Sequence, residues 1–198
     1  MKSVMISIKP YWVFLIIAKT MGWNINKEKT VEVRKTCPRD NEWNKVGKIY
    51  CTKDKQSFNC IPKEYQPFMK KFLGKVIGEF VCDNIFSMSI TYSDPNNRMS
   101  AREFSFTCLT YKQIIDYLGN GKRGYGWHIS DLVIYDKPKE LEAFTTFCDA
   151  NKKRCANCKH YLFDNDDLNG YRRWCDVCHR KPLTRPPQSW CYIEGVEE

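Results

Sequence analysis

Apolar residues come in short bursts along this chain, and the bursts follow two different periods. Val4-Met5-Ile6-Ser7-Ile8 is a compact run of strand formers and predicts a short β-strand. Pro10, suited to the first turn of a helix, opens the next burst, which predicts a helix to about Met21, closed by Gly22. Thr30-Val31-Glu32-Val33-Arg34 alternates strictly, which predicts a strand with Val31 and Val33 facing the core and Glu32 and Arg34 on the opposite face. Val46 to Thr52 predicts a further strand, and Lys75 to Ile85 carries the strongest strand signal. Ser57 to Lys71 has no period and reads as irregular, and Ser93 to Ser100, with Asp94-Pro95-Asn96-Asn97, reads as a loop. Thr110 predicts the cap of a helix over Tyr111 to Leu118, stopped by Gly119. Gly124-Tyr125-Gly126 leads into a predicted strand from Trp127 to Tyr135, and Pro138 opens a predicted helix to about Phe144. About five strands and two or three short helices result. The long gaps between strands favour an α+β, mainly β fold, a small closed or half-closed barrel, over a doubly wound sheet.

The hydrophobic pattern stops being informative near residue 150, where cysteine spacing takes over. Cys155-Ala156-Asn157-Cys158 and Cys175-Asp176-Val177-Cys178 are two CxxC pairs, the spacing of a structural zinc site with four thiolates. Four thiolates leave no open position for water, so this zinc is structural, and it would supply folding energy to a segment too small to bury a core. His160, His179 and above all Cys191 lie near enough to substitute for one ligand. Asp164-Asn165-Asp166-Asp167 resembles a calcium loop only superficially, lacking the closing Glu. The chain therefore divides into a barrel domain, residues 1–147, and a zinc-binding segment, residues 148–198.

Composition narrows the partners. Of 198 residues 42% are hydrophobic and 28% charged, which excludes a disordered chain. The formal net charge of +9 favours a polyanion, most simply nucleic acid, although the basic residues form no long tract. Eleven cysteines, an odd and scattered set beside a metal-type cluster, suit a reducing cytoplasm better than a secreted disulfide framework. The apolar run Tyr11 to Ala18 is too short to span a bilayer and lacks a small-residue cleavage site, so it predicts a buried amphipathic helix and no membrane partner.

Three blocks carry a resemblance. Ile6-Ser7-Ile8-Lys9-Pro10 followed by a helix and Glu28-Lys29-Thr30-Val31-Glu32-Val33-Arg34-Lys35 resembles the N-terminal signature of ASCH domains, a branch of the PUA-like β-barrels. Gly74-Lys75-Val76-Ile77-Gly78-Glu79-Phe80 resembles their central strand, and His128-Ile129-Ser130-Asp131 with Tyr135-Asp136-Lys137-Pro138 their closing strand and turn. The tail from Leu183 to Cys191 is similar to ASCH proteins carried by bacteriophages and prophages, which implies the cytoplasm of a bacterial or phage-infected cell. The resemblance implies a cleft for RNA or a modified nucleoside. One branch, the acetylcytidine amidohydrolases, uses a catalytic Lys in this block, matched by Lys29; its Thr three residues on is replaced here by Glu32, and Glu103 is the nearest counterpart of its later Glu.

The expected site residues follow. Lys29 and Glu32 are the catalytic candidates, since a Lys beside a Glu in a cleft can act as nucleophile or base. Lys9, Lys29, Thr30, Arg34 and Trp127 are the candidates for holding RNA or a nucleoside: cations for phosphate or a base edge, Lys9 beside a helix N-terminus, and an aromatic ring for stacking. Of Tyr125 and Trp127, one is expected to serve packing instead, and His128 reads as structural. Three functions compete: RNA or nucleoside binding, hydrolysis of an acylated nucleoside, and protein–protein contact through the zinc ribbon.

Overall fold

The computed structural model describes residues 2–39, 43–91, 101–146 and 182–194. Among these residues lie eight strands and five short helices. β1 (Lys2–Ile8) forms where the sequence predicts it, and so does β3 (Val46–Cys51); the two run parallel, Ile6 opposite Ile49. Between them α1 (Pro10–Ile17) starts on its proline and ends four residues before the predicted Met21. The chain then turns through Gly22, whose φ of +67° a residue with a Cβ rarely adopts. α1 is not amphipathic: Pro10, Val13, Phe14, Leu15, Ile16 and Ile17 are all buried, as befits a helix packed on nearly every side.

The sequence expectation of about five strands falls short because two predicted strands each split in two and a strand at Trp190–Glu194 was not expected. The run Lys75 to Ile85 becomes β4 (Val76–Val81) and β5 (Ile85–Ser89). The strand predicted from Trp127 to Tyr135, together with its lead-in, becomes β6 (Arg123–His128) and β7 (Ser130–Lys139). Each break carries the chain from one sheet to the other, and hydrogen bonds hold each break: Cys82 N to Lys45 O at 2.8 Å and Ile129 N to Thr30 O at 2.8 Å. With β2 (Val31–Arg34) and β8 (Trp190–Glu194), the strands order as β7-β4-β3-β1-β8 and β2-β6-β5.

Four further differences have local causes. The stretch read as irregular holds α2 (Lys55–Asn59) and α3 (Gln66–Lys70), each too short to show a period; the Asp54 carboxylate caps α2 by accepting from Ser57 N at 2.7 Å. α4 (Ala101–Thr107) was not expected. Pro138 opens no helix. It lies in β7, an edge strand where a missing N–H is tolerated, and only a 3-10 turn (Leu141–Ala143) follows. α5 (Tyr111–Leu118) matches its prediction fully, with Thr110 and Gln113 forming both bonds of a capping box.

Three apolar clusters hold the fold. The largest sits on α1 and the inner faces of both sheets, around Ile6, Phe14, Ile49, Phe80 and Trp127. A second covers the outer face of the larger sheet, where Met5, Tyr50 and Val76 meet Phe144, Leu183 and Ile193. β1 thus buries both faces, which is why its sequence is apolar nearly throughout. The third packs α5 against Val33 and Met88.

The residues on either side of 147–181 are tied together. Thr145 bridges Pro182, Thr146 bridges Ile193, and Leu183 N donates to Phe144 O at 2.8 Å. Residues 182–194, grouped by the sequence reading with the zinc segment, add β8 to β1 in antiparallel register. Cys155, Cys158, Cys175 and Cys178, with His160 and His179, lie outside the described residues, as does the predicted loop from Ser93 to Ser100. Among the described residues no helix is long and apolar enough to cross a membrane.

Candidate functional site

β2 is the strand that builds the site. Its alternation puts Glu32 and Arg34 opposite the core-facing valines, yet they are only 8% and 5% exposed. That face looks into a cavity of about 600 Å³, within the range of roughly 300–1,000 Å³ typical of small-molecule sites. The wall comes from distant pieces of chain: Ser7 and Lys9 at the end of β1, Trp12 of α1, Thr52 and Asp54 after β3, Gln113 and Tyr117 of α5, and Pro186 to Gln188 before β8.

Lys29 enters just before β2 and is 2% exposed. Its Nζ donates to Val31 O at 2.6 Å and Thr107 O at 2.9 Å, and pairs with Glu32 Oε2 at 3.2 Å. An ammonium has three N–H groups, so these three oxygens occupy all of them. Trp12 covers the same Nζ, its ring centre 5.5 Å away. The other Glu32 oxygen, Oε1, lies 3.1 Å from Arg34 Nη2, which also donates to Ser7 O at 2.6 Å. Both carboxylate oxygens are therefore engaged and the three side chains form one buried network, in which each pair is strengthened by low dielectric and each lost partner is costly. Arg34 Nε has no partner, and neither do the buried hydroxyls of Ser7 and Thr52, all on wall residues.

Lys9 stands at the rim, 61% exposed on its side chain and 3.2 Å from Asp54 Oδ2. Asp54 is held below the usual carboxylate range, first by the Ser57 backbone N–H and then by Lys9. The first donors of α1 are already used: Tyr11 N by Ser57 Oγ, Trp12 N and Val13 N by Lys9 O. An anion near Lys9 would meet the side chain and not the helix end.

The structure brings Lys9, Lys29, Glu32 and Arg34 together on one wall and leaves the other expected residues off it. Thr30 is bound through its backbone to Phe106 and Ile129 and is not a wall residue. Trp127 is 0% exposed, packed between Trp43 and Trp190 with ring centres 5.9 Å from each, and presents no face to a base. Glu103 on α4 is not on the wall either. His128 faces Asp83 across 2.6 Å, also away from the cavity. Cys191 lies in β8 opposite Met5, its thiol pushed up to about 11 by burial. Sequence reasoning missed Ser7, Trp12, Thr52, Gln113 and Tyr117. Only the helical period of α5, which puts Gln113 and Tyr117 on one face, offered a signal for any of them.

No family model matches the chain, and no curated protein matches it in sequence. Solved structures do. ASCH from Zymomonas mobilis matches at 18% identity and a TM-score of 0.51, over 97% of this chain and 87% of that one. A serine-to-alanine variant of the same protein matches at 18% identity and a TM-score of 0.45, over 70% and 74%. The first likeness shows a fold of the ASCH kind, as the sequence resemblance implied.

Proposed function

We propose that this chain binds RNA, or a nucleoside unit of it, in the cavity beside β2. The observation that carries this is the buried Lys29–Glu32–Arg34 network on the wall of a cavity of about 600 Å³. Evolving a buried ionic network at the surface of a cavity costs desolvation, which favours a site whose donors meet a ligand over a purely structural one. The net charge of +9 and the ASCH-like fold agree with a polyanionic partner.

A positioning role, anchoring Glu32 and through it Arg34, fits Lys29 better than a nucleophilic one. A nucleophilic amine needs a free lone pair, whereas all three donors of Nζ are spent on Val31 O, Thr107 O and Glu32. Glu32 is equally committed, each of its oxygens facing one cation. The expected amidohydrolase activity would first have to dismantle this network.

The test is fluorescence anisotropy with a short labelled single-stranded RNA. Affinity should fall steeply between about 50 and about 200 mM salt. Arg34→Ala should weaken it at least about tenfold, a charged contact being worth roughly 1.5–3 kcal/mol, with circular dichroism confirming the fold. Unchanged affinity for both Arg34→Ala and Lys29→Ala, or release of acetate from N4-acetylcytidine, would defeat the reading.

Cys155, Cys158, Cys175 and Cys178 are the proposed ligands of one structural zinc ion, on the strength of their spacing. Elemental analysis should find about one zinc per chain, and replacing Cys155 and Cys158 together by serine should abolish it. Retention of zinc by that variant would discard this ligand set.

A further inference from the structure

The cavity wall is not electrically balanced. Its ionised groups are Lys9, Lys29 and Arg34 against Glu32 and Asp54, which leaves one formal positive charge. The rim pair Lys9–Asp54 cancels within itself at 3.2 Å. The excess therefore lies at the floor, where one carboxylate serves two cations that are both more than nine-tenths buried. A buried cation without a full counter-charge is costly unless a ligand supplies one.

The unfilled valences point the same way. Arg34 Nη2 is used twice, by Glu32 and by Ser7 O, while Nε has no partner. A guanidinium can only donate, so whatever completes it must accept. An incompletely paired guanidinium and a surplus positive charge together suit an oxyanion, and Arg is the side chain best shaped to hold one.

On the reading that the cavity serves RNA, we infer that it takes a phosphate-bearing nucleotide and discriminates against the neutral nucleoside. The phosphate faces Arg34 on the β2 wall. The base has the ring of Trp12 and the apolar side chains of Leu109 and Pro187 for contact.

The experiment is calorimetric titration of the full chain, in phosphate-free buffer at low salt, with cytidine 5′-monophosphate, cytidine and inorganic phosphate in turn. The nucleotide should bind at least about tenfold more tightly than the nucleoside, the equivalent of one charge-assisted contact. It should also outdo inorganic phosphate by a similar factor. Asp54→Asn raises the wall charge by one while keeping a good cap for α2, so it should tighten the nucleotide severalfold and widen the gap to cytidine. Equal affinity for cytidine and its monophosphate overturns the phosphate inference and leaves nucleoside binding standing. Inorganic phosphate binding as tightly as the nucleotide reduces the cavity to an anion site and overturns the nucleotide claim. Failure of all three probes, in a chain that also ignores RNA, overturns the underlying reading.

Discussion

Glu32 is the keystone of the network, and replacing it by glutamine tests that directly. Its two oxygens lie 3.2 Å from Lys29 Nζ and 3.1 Å from Arg34 Nη2, and all three side chains are buried. Glutamine keeps the shape but loses the charge, and turns an NH2 group toward one of two cations. Breaking a fully buried ion pair by neutralising one partner costs about 3–5 kcal/mol. The cavity admits some water beside this network, so the lower end applies, about 3 kcal/mol. For a chain of this size that corresponds to a fall in Tm of roughly 6–12 °C. Lys112 and Asp116 provide the control. They lie closer still, at 2.6 Å, but are largely exposed on α5, so Asp116→Asn should cost only about 0.3–0.5 kcal/mol. Urea unfolding gives both values. Adding Lys29→Met to Glu32→Gln should cost less than the two changes summed, because the second removes a cation that the first left unpaired. If Glu32→Gln lies within about 0.5 kcal/mol of wild type, the network is held by solvent and not by the fold, and the reasoning fails.

Four other outcomes follow from the coordinates. Asp54 and Glu79 are both held below their ordinary values of 3.8 and 4.5, Asp54 first by the Ser57 N–H and Glu79 first by the Lys48 hydrogen bond. Their contribution to stability is therefore complete above those values and is lost as the pH falls through the depressed ones. Urea midpoints measured against pH should drop on acidification below about 4.5, and Glu79→Gln should flatten the drop; stability that rises toward acid would contradict this. Burial pushes the thiols of Cys51 and Cys82 up to about 12, while Cys60 is exposed. Among the described cysteines, iodoacetamide near neutral pH should label Cys60 first, read by peptide mass spectrometry, and early labelling of Cys51 would refute the packing of β3. Gly78 lies where β7 passes closely, a Cβ there meeting the carbonyl of Val133, so Gly78→Ala should destabilise by about 1–3 kcal/mol in urea unfolding. If the proposed zinc site holds, chelation should unfold the stretch between about residues 150 and 181 and spare both sheets, β8 included, as followed by hydrogen exchange; collapse of protection in β3 and β4 would argue against a separable unit.

What the sequence disclosed was local. β1 and β3 were legible as short runs of strand formers and α5 as a helical period, and Thr110 with Gln113 spelled out the capping box. β2 was legible too, including which face carries Glu32 and Arg34. What alternation cannot say is whether that face meets solvent or a wall. Here the answer depends on Thr107, 78 residues from Lys29, and on Pro186 and Pro187 near the other end. Of the two strand breaks, the one at Cys82 is marked by Asp83-Asn84, poor strand formers that the surrounding apolar run masked, while the one at Ile129 carries no such mark; the bonds to Lys45 and Thr30 complete the change of sheet. Trp127 illustrates the converse. An aromatic residue beside a glycine reads as a stacking platform, but Gly126 leaves room for Phe86, and the three-tryptophan contact draws Trp127 inward.

The central claim is that a nucleic-acid unit enters the cavity beside β2. Crystals grown with a short oligoribonucleotide test it most directly. The expected density shows a nucleotide within the cavity, an oxygen of its phosphate within hydrogen-bonding distance of Arg34, and a base against Trp12. An oligonucleotide seated elsewhere, on the outer face of the larger sheet for instance, with the cavity beside β2 left to solvent, would contradict it.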